Sequence, residues 1–254
     1  MKIAHIINPV KVDESNKSYL FYAQPITFES MYLSKKYSEN KDKNLDVSLY
    51  AVNFPEDESI IPEYLNRLPH LKNSVNKDYP TLTHRKLPFL QEIFDIIKEN
   101  IDADYYIYTN SDITLRDTFY LKVKYFIKNY KLESLIINRR DNIPKFINNI
   151  RLTKEHLNII TTLEGETHPG RDCFVMSKRV FHEINMKKIF IGCPPWGRIL
   201  MEYLGKISKR IKILRNEYIT FHIGCDNNHK NSKKTPLTKL NFFLGKDIVF
   251  DKLE

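Results

Sequence analysis

The chain has 254 residues, 42% of them hydrophobic, with 12 prolines and only 7 glycines, which permits a single core without staples and excludes a disordered or linker-rich chain. A formal net charge of +9 favours anionic partners such as nucleotides, phosphorylated lipids or nucleic acid, although much of it is lysine scattered among asparagines, as a solvated surface would have it. No apolar run approaches the roughly 20 residues of a membrane span, the opening run at 3–7 is too short for a signal peptide, and Cys173, Cys193 and Cys225 are too widely spaced for a disulfide framework or zinc site, so a cytoplasmic location is expected.

Lys2–Ile7 reads as the first strand, Ile26–Tyr37 as a helix, and Asp46–Val52, with alternating apolar positions, as the next strand. Pro62 predicts a short helix running to Leu68. Leu90, Ile93, Phe94 and Ile97 share one helical face and lead into Tyr105–Thr109, a bulky run that stops at Asn110-Ser111-Asp112. This alternation predicts a sheet that is mostly parallel in its first half. Further on, Phe119–Tyr130 reads as helix and Glu133–Asn138 as strand, after which the pattern loses regularity through Arg139-Arg140 and Ile143–Asn149. Arg171–Met176 predicts a strand, Lys178–Ile184 and Trp196–Ile207 helices, and Tyr218–Gly224 a late strand. Basic residues gather at 206–212 and 230–239, suited to peripheral association with an acidic membrane surface at its inner face, to a polyanionic acceptor or to a solvated face; the apolar close, Leu240–Leu244 and Ile248–Phe250, is expected to dock on the body, the alternative being contact with a partner or membrane.

In an open α/β sheet, ligands gather beyond the carboxyl ends of strands, where Asn110, Ser111 and Asp112 would stand. A carboxylate there suits magnesium or manganese bridging to substrate phosphates; the same triplet also makes a simple turn, or a cap for the next helix. His168, Arg171 and Asp172 precede the apolar Cys173-Phe174-Val175 and cannot all be buried without partners. They point to acceptor binding, to a general base, or to a Pro-Gly turn with a surface ion pair. Arg85 and Lys86 precede a helix and are suited to phosphate, arginine as a fork and lysine as a point charge.

Three blocks, Tyr105 to Ile113 (YYIYTNSDI), His168 to Phe174 (HPGRDCF) and Phe190 to Gly197 (FIGCPPWG), combine with Asn8-Pro9, Arg85-Lys86-Leu87-Pro88 and Phe221-His222-Ile223-Gly224 to cover most of residues 1–225. In order and number they resemble glycosyltransferases of the GT-A nucleotide-sugar fold, in the bacterial and plant group with YTNSDI, HPGxDCF and FIGxPPxG blocks. The resemblance implies an α/β, GT-A-like fold whose mostly parallel central sheet is flanked by helices. A catalytic domain over 1–225 would have a donor half ending near residue 115 and an acceptor half beyond it, with a basic extension, 226–254, packed on the same domain. The implied reaction moves a sugar from a nucleotide-sugar donor to a glycan, lipid-linked or small acceptor, in bacterial cell-surface polysaccharide synthesis.

By the same resemblance, Asn8, Arg85, Lys86, Asn110, Ser111 and Asp112 would bind the donor, Arg171 and Trp196 the acceptor, and Asp172 and His168 would be catalytic. Asp112 takes the place of the last aspartate of a DxD motif and His222 that of a late histidine, together holding manganese or magnesium. Two departures matter. Asn110 replaces the first acid of DxD, and Pro194-Pro195-Trp196-Gly197 stands where a Glu-Asp pair often supplies the base. Either Asp172 supplies it or the enzyme retains configuration. The alternative is a non-catalytic nucleotide-sugar or glycan-binding protein on the same fold. No nucleic-acid motif is present in the sequence, so that partner is not expected.

Overall fold

The computed structural model describes residues 1–13, 18–141, 154–162, 165–223 and 235–250. Its first half runs β1 (Lys2–Ile7), α1 (Leu20–Lys41), β2 (Asp46–Ala51), β3 (Asn66–Arg67), α2 (Val75–Asp78), α3 (Leu90–Asn100) and β4 (Tyr105–Thr109). β1 is central here, pairing in parallel with β2 on one side and β4 on the other, Ile3 opposite both Val47 and Tyr105. Two-sided burial explains the near-continuous apolar runs. Alternate residues serve opposite faces: Ala4, Ile6, Tyr106 and Tyr108 pack with α3, while Ile3, Ile7 and Ile107 pack with α1.

The second half adds β5 (Ile113–Leu115), α4 (Phe119–Tyr130), β6 (Ser134–Asp141), α5 (Leu157–Thr162), β7 (Glu166–Ser177), α6 (Lys178–Glu183), α7 (Trp196–Ile207), β8 (Ile211–Leu214), β9 (Thr220–His222) and α8 (Pro236–Phe250). The sheet order is β3-β2-β1-β4-β7-β6-β9-β5, with β8 also beside β6. β7 runs antiparallel to both β4 and β6, so parallel order ends at β4. The free edge of β6 is shared: its first half pairs with β8, and Arg140 and Asp141 pair with β9. Its carboxyl end is thereby drawn toward β5 and the turn after β4.

Several predicted elements change. α1 starts at Leu20, so Pro25 lies inside it. Gln24 secures this early start: its side chain bonds both the N–H and the carbonyl of Val10, and its amide also reaches the Leu20 carbonyl. The inner stripe of α1 includes Ser30, Ser34 and Ser38, all buried, which conceals its periodicity in sequence. The expected helix from Pro62 to Leu68 gives way to a turn and β3, since Asn66 and Arg67 pair with Tyr50 and Ala51 and the Asn66 amide bonds the Leu49 carbonyl. Local propensity yields there to sheet pairing. β7 begins five residues before the predicted strand, so His168-Pro169-Gly170-Arg171-Asp172 lies within a strand whose register against β6 shifts around Asn138. Such irregularities accommodate proline and re-aim side chains. The apolar close forms α8, which docks on α7. Among the described residues, no helix is long and apolar enough to cross a membrane. Cys173 and Cys193 are buried free thiols; Cys225, Ile143–Asn149 and the lysines at 230–234 lie outside the described residues.

Candidate active site

The turn after β4 does two things at once. The Ile113 N–H returns to the Asn110 carbonyl, reversing the chain into β5, and the Asn110 N–H bonds the Asp172 carbonyl on neighbouring β7. The Asn110 amide also donates to Asp172 Oδ1 at 2.9 Å. Asp112 is tied through its own carbonyl to the N–H of Ile223, just past β9. Three strand ends therefore fix one short polar turn.

Around it lies a cluster of charge. Asp112 Oδ2 is 3.2 Å from His222 Nε2, and His222 Nδ1 is 3.5 Å from Asp141 Oδ1. Arg139, only 4% exposed, gives its Nε to Asp141 Oδ1 at 2.9 Å and its guanidinium NH1 to Asp172 Oδ2 at 2.8 Å. His168 Nδ1 accepts the Gly170 N–H at 2.8 Å, which leaves the ring proton on Nε2, facing Asp141 Oδ2 at 3.9 Å. Arg140 stacks on Tyr218 and donates to the Gly165 carbonyl. Gly170 is required by space: an added Cβ would lie 2.7 Å from His168 Nδ1, 2.9 Å from Asp172 Oδ2 and 3.0 Å from Arg139 Nε.

Burial alone would pull the His222 imidazole down, but the Asp112 carboxylate and its hydrogen bond, with Asp141 behind, outweigh that and push it up to about 10. Asp141 reverses in the same way: burial raises it, while His222, Arg139 and His168 bring it down to about 2. Asp112 is likewise held below the ordinary carboxylate range, burial being outweighed by His222 and Arg139. Asp112 and Asp141 are thus two carboxylates set against the His222 imidazolium, with the Arg139–Asp172 ion pair beside them.

Asn110, Asp112, His168, Asp172 and His222 come together as the sequence leads one to expect. Asn8 ends the adjacent strand and gives its amide to the Val52 carbonyl, and Ser111 is nearly buried in the turn. Arg171 is partly exposed; its carbonyl lies so near Gly197 that an added Cβ would approach it to 2.7 Å. Arg85 and Lys86 stand apart from the cluster in their recorded contacts. Arg85 reaches the Gly192 carbonyl at 3.4 Å, and Lys86 pairs with Glu56 and covers the Phe54 ring.

Trp196 needs correction. It is 7% exposed, edge-on to Tyr108 and packed against Phe174, so its ring serves the core rather than a sugar face. The picture of Asp172 as a free base also changes, because Asn110 and Arg139 hold its two oxygens. Sequence reasoning missed Arg139 and Asp141 as site residues. The signal was the one that singled out Asp112: the apolar run of β6 also stops at polar residues, Asn138-Arg139-Arg140-Asp141.

The residues present fit a divalent cation. Asp112 Oδ1 is buried without a hydrogen-bond partner among the described residues, and carboxylate oxygens suit manganese or magnesium, as an imidazole does once it has lost its proton. Both His222 nitrogens face carboxylates, however, and no group of three His, Cys, Asp or Glu side chains among the described residues forms a ready cage.

No family model and no curated protein matches the chain. Its fold, a mixed sheet flanked by helices, is that of the GT-A glycosyltransferases. A solved structure of Staphylococcus aureus TarS residues 1–349 with UDP-GlcNAc superposes at a TM-score of 0.53, with 11% identity over 99% of this chain and 71% of that one. Glucosyl-3-phosphoglycerate synthase of Mycobacterium tuberculosis with phosphoglyceric acid gives a TM-score of 0.55, with 11% identity over 98% of this chain and 80% of that one. The same synthase with Mn2+ and UDP-glucose gives 0.51, at 8% identity and with 98% and 79% covered.

Proposed function

We propose that this chain is a nucleotide-sugar-dependent glycosyltransferase whose donor site is centred on Asp112. The observation that carries the reading is the buried Asp112 oxygen just beyond the carboxyl end of β4, without a hydrogen-bond partner among the described residues and beside His222, in a fold shared with proteins crystallised with UDP-sugars. Asn8, Ser111 and Asp112 would line the donor side, with Arg85 and Lys86 meeting the diphosphate or base from the rim. Asp112, supported by Asp141, would hold manganese or magnesium, with His222 joining as a ligand on losing its proton; the ion would supply positive charge for the departing diphosphate. Arg171 and His168 would face the acceptor, a glycan or lipid-linked hydroxyl of cell-surface polysaccharide synthesis in the cytoplasm. Asp172, through its pair with Arg139 and its bond from Asn110, would orient the cluster.

As a base, Asp172 would have to take the acceptor proton on an oxygen already engaged by Asn110 or Arg139. The ion pair therefore favours a positioning role, with the acceptor proton leaving by another group.

The test is a thermal-shift screen of UDP, GDP, CMP and their sugars, with and without manganese, on the parent and Asp112→Asn. A true ligand at about 100 times its dissociation constant stabilises the fold by roughly 2.7 kcal/mol. Manganese-dependent stabilisation by a nucleotide sugar, lost in Asp112→Asn with the parent fold retained, is the expected result. Silence toward every nucleotide would overturn the reading, and binding without turnover on any acceptor would leave a binding protein. NMR of the product's anomeric configuration checks the stereochemistry; retention would remove a simple inverting base.

A further inference from the structure

The inner face of α8 is fully used by the fold. Leu237 and Ile248 are buried, and an alanine Cβ at Gly245 would come within 2.3 Å of Ile199 Cδ1 on α7, which shows how closely the two helices approach. Asn241, wholly buried, accepts the Phe190 N–H and donates to the carbonyls of Phe190 and Cys193. The opposite face carries a different pattern. Lys239, Phe242, Phe243 and Lys246 fall at i, i+3, i+4 and i+7, hence on one side, and all are exposed, Phe242 at 52% and Phe243 at 65%. Lys246 Nζ lies 5.5 Å from the Phe242 ring. Lys206 of α7 adds a cation at the far end, reaching the Ile248 carbonyl, against one exposed acid, Asp247.

We propose that this outer face of α8 docks on the anionic surface of a lipid bilayer. Two adjacent exposed aromatic rings, bracketed by lysines, are the elements of an interfacial helix: the rings enter the acyl boundary while the ammonium groups meet anionic headgroups. A net basic rim selects an anionic surface over a zwitterionic one. The inference does not depend on the proposed glycosyltransferase reading, because it concerns a surface outside the Asp112 cluster and is tested without turnover.

The experiment is co-sedimentation of the full chain with vesicles of phosphatidylcholine alone and with vesicles carrying phosphatidylglycerol. Binding to the anionic vesicles should exceed binding to the neutral ones by about tenfold or more, and should fall at about 1 M salt. The double variant F242S/F243S should bind at least about tenfold more weakly while keeping the parent's melting temperature. If that variant fails to fold, K239E/K246E, which leaves the rings in place, should show the same loss. The proposal is overturned if the parent does not sediment with anionic vesicles, or if the folded variants bind as the parent does. It is also overturned if sedimentation velocity shows self-association through this face that F242S/F243S abolishes, which would assign it to a second copy of the chain.

Discussion

Asp172 and Arg139 meet at 2.8 Å with almost no exposure to water, and that contact decides how the acceptor side is read. A buried pair acts as a unit, so Asp172→Asn and Arg139→Ala are each expected to lower turnover, with the double variant losing little more than the worse single one. Losses that simply add in a double-mutant cycle would separate the two residues, and a loss of 10²- to 10⁴-fold confined to Asp172→Asn would return it to the role of base. His5 offers a residue-scale test on stability. It is fully buried in β1, with Nδ1 at 2.8 Å from the Tyr120 hydroxyl and Nε2 at 2.9 Å from Thr109 Oγ1, and burial lowers it from 6.5 to about 3. Between those values the unfolded chain binds a proton that the folded chain refuses. Its contribution is therefore whole above pH 6.5 and is lost as pH falls toward 3, by at most about 1.4 kcal/mol per pH unit. Urea midpoints measured across that window should fall less steeply in His5→Gln than in the parent; parallel slopes would refute the assignment.

Among the elements, α8 and α7 are fixed by single residues. Asn241→Ala would strip the Phe190 and Cys193 carbonyls of a buried donor, at a cost of about 1–3 kcal/mol. Hydrogen exchange should then speed up across 236–248 before the rest of the chain responds, and unchanged protection there would mean that packing alone holds the helix. Gly197 opens α7 against the Arg171 carbonyl, a backbone atom unable to move aside without shifting β7. Gly197→Ala should accordingly destabilise the fold by about 1–3 kcal/mol, read as a lower denaturant midpoint with the slope unchanged.

For the molecule as a whole, the sheet acts as a platform of uneven stability. β1 and β4 have partners on both sides and cores on both faces, whereas β3 is a two-residue edge. Amides of β1 and β4 should exchange only through global unfolding, and those of β3 and the turn at Pro62 through local opening. A nucleotide that binds across the carboxyl ends would slow the global class as well, because it stabilises the native state alone. Uniform exchange across the strands would contradict this layering. Formal charge acts at the same scale: with +9 on the chain, weak association with polyanions is expected to fade with salt, unlike a nucleotide held by a directed site.

Sequence by itself determined the elements whose burial pattern is local. Leu90, Ile93, Phe94 and Ile97 could only be a buried helical face and Tyr105 to Thr109 a buried strand, while the abrupt polar stop at Asp112 suited a ligand, a simple turn or a helix cap alike. It also located His168, Asp172 and His222 in separate blocks, without fixing their distances. Tertiary structure decided what depends on neighbours far along the chain. Pairing of Arg140 and Asp141 with β9 brought Arg139 and Asp141 into the site, and serines filled the inner face of α1 where periodicity could not show it. Packing turned Trp196 inward, and Asn110 and Arg139 claimed the Asp172 oxygens. The physical reason is common to all of these. Hydrophobic periodicity reports whether a face is buried, whereas the partner that satisfies a buried polar group is set by strand order and register, which a local pattern does not encode.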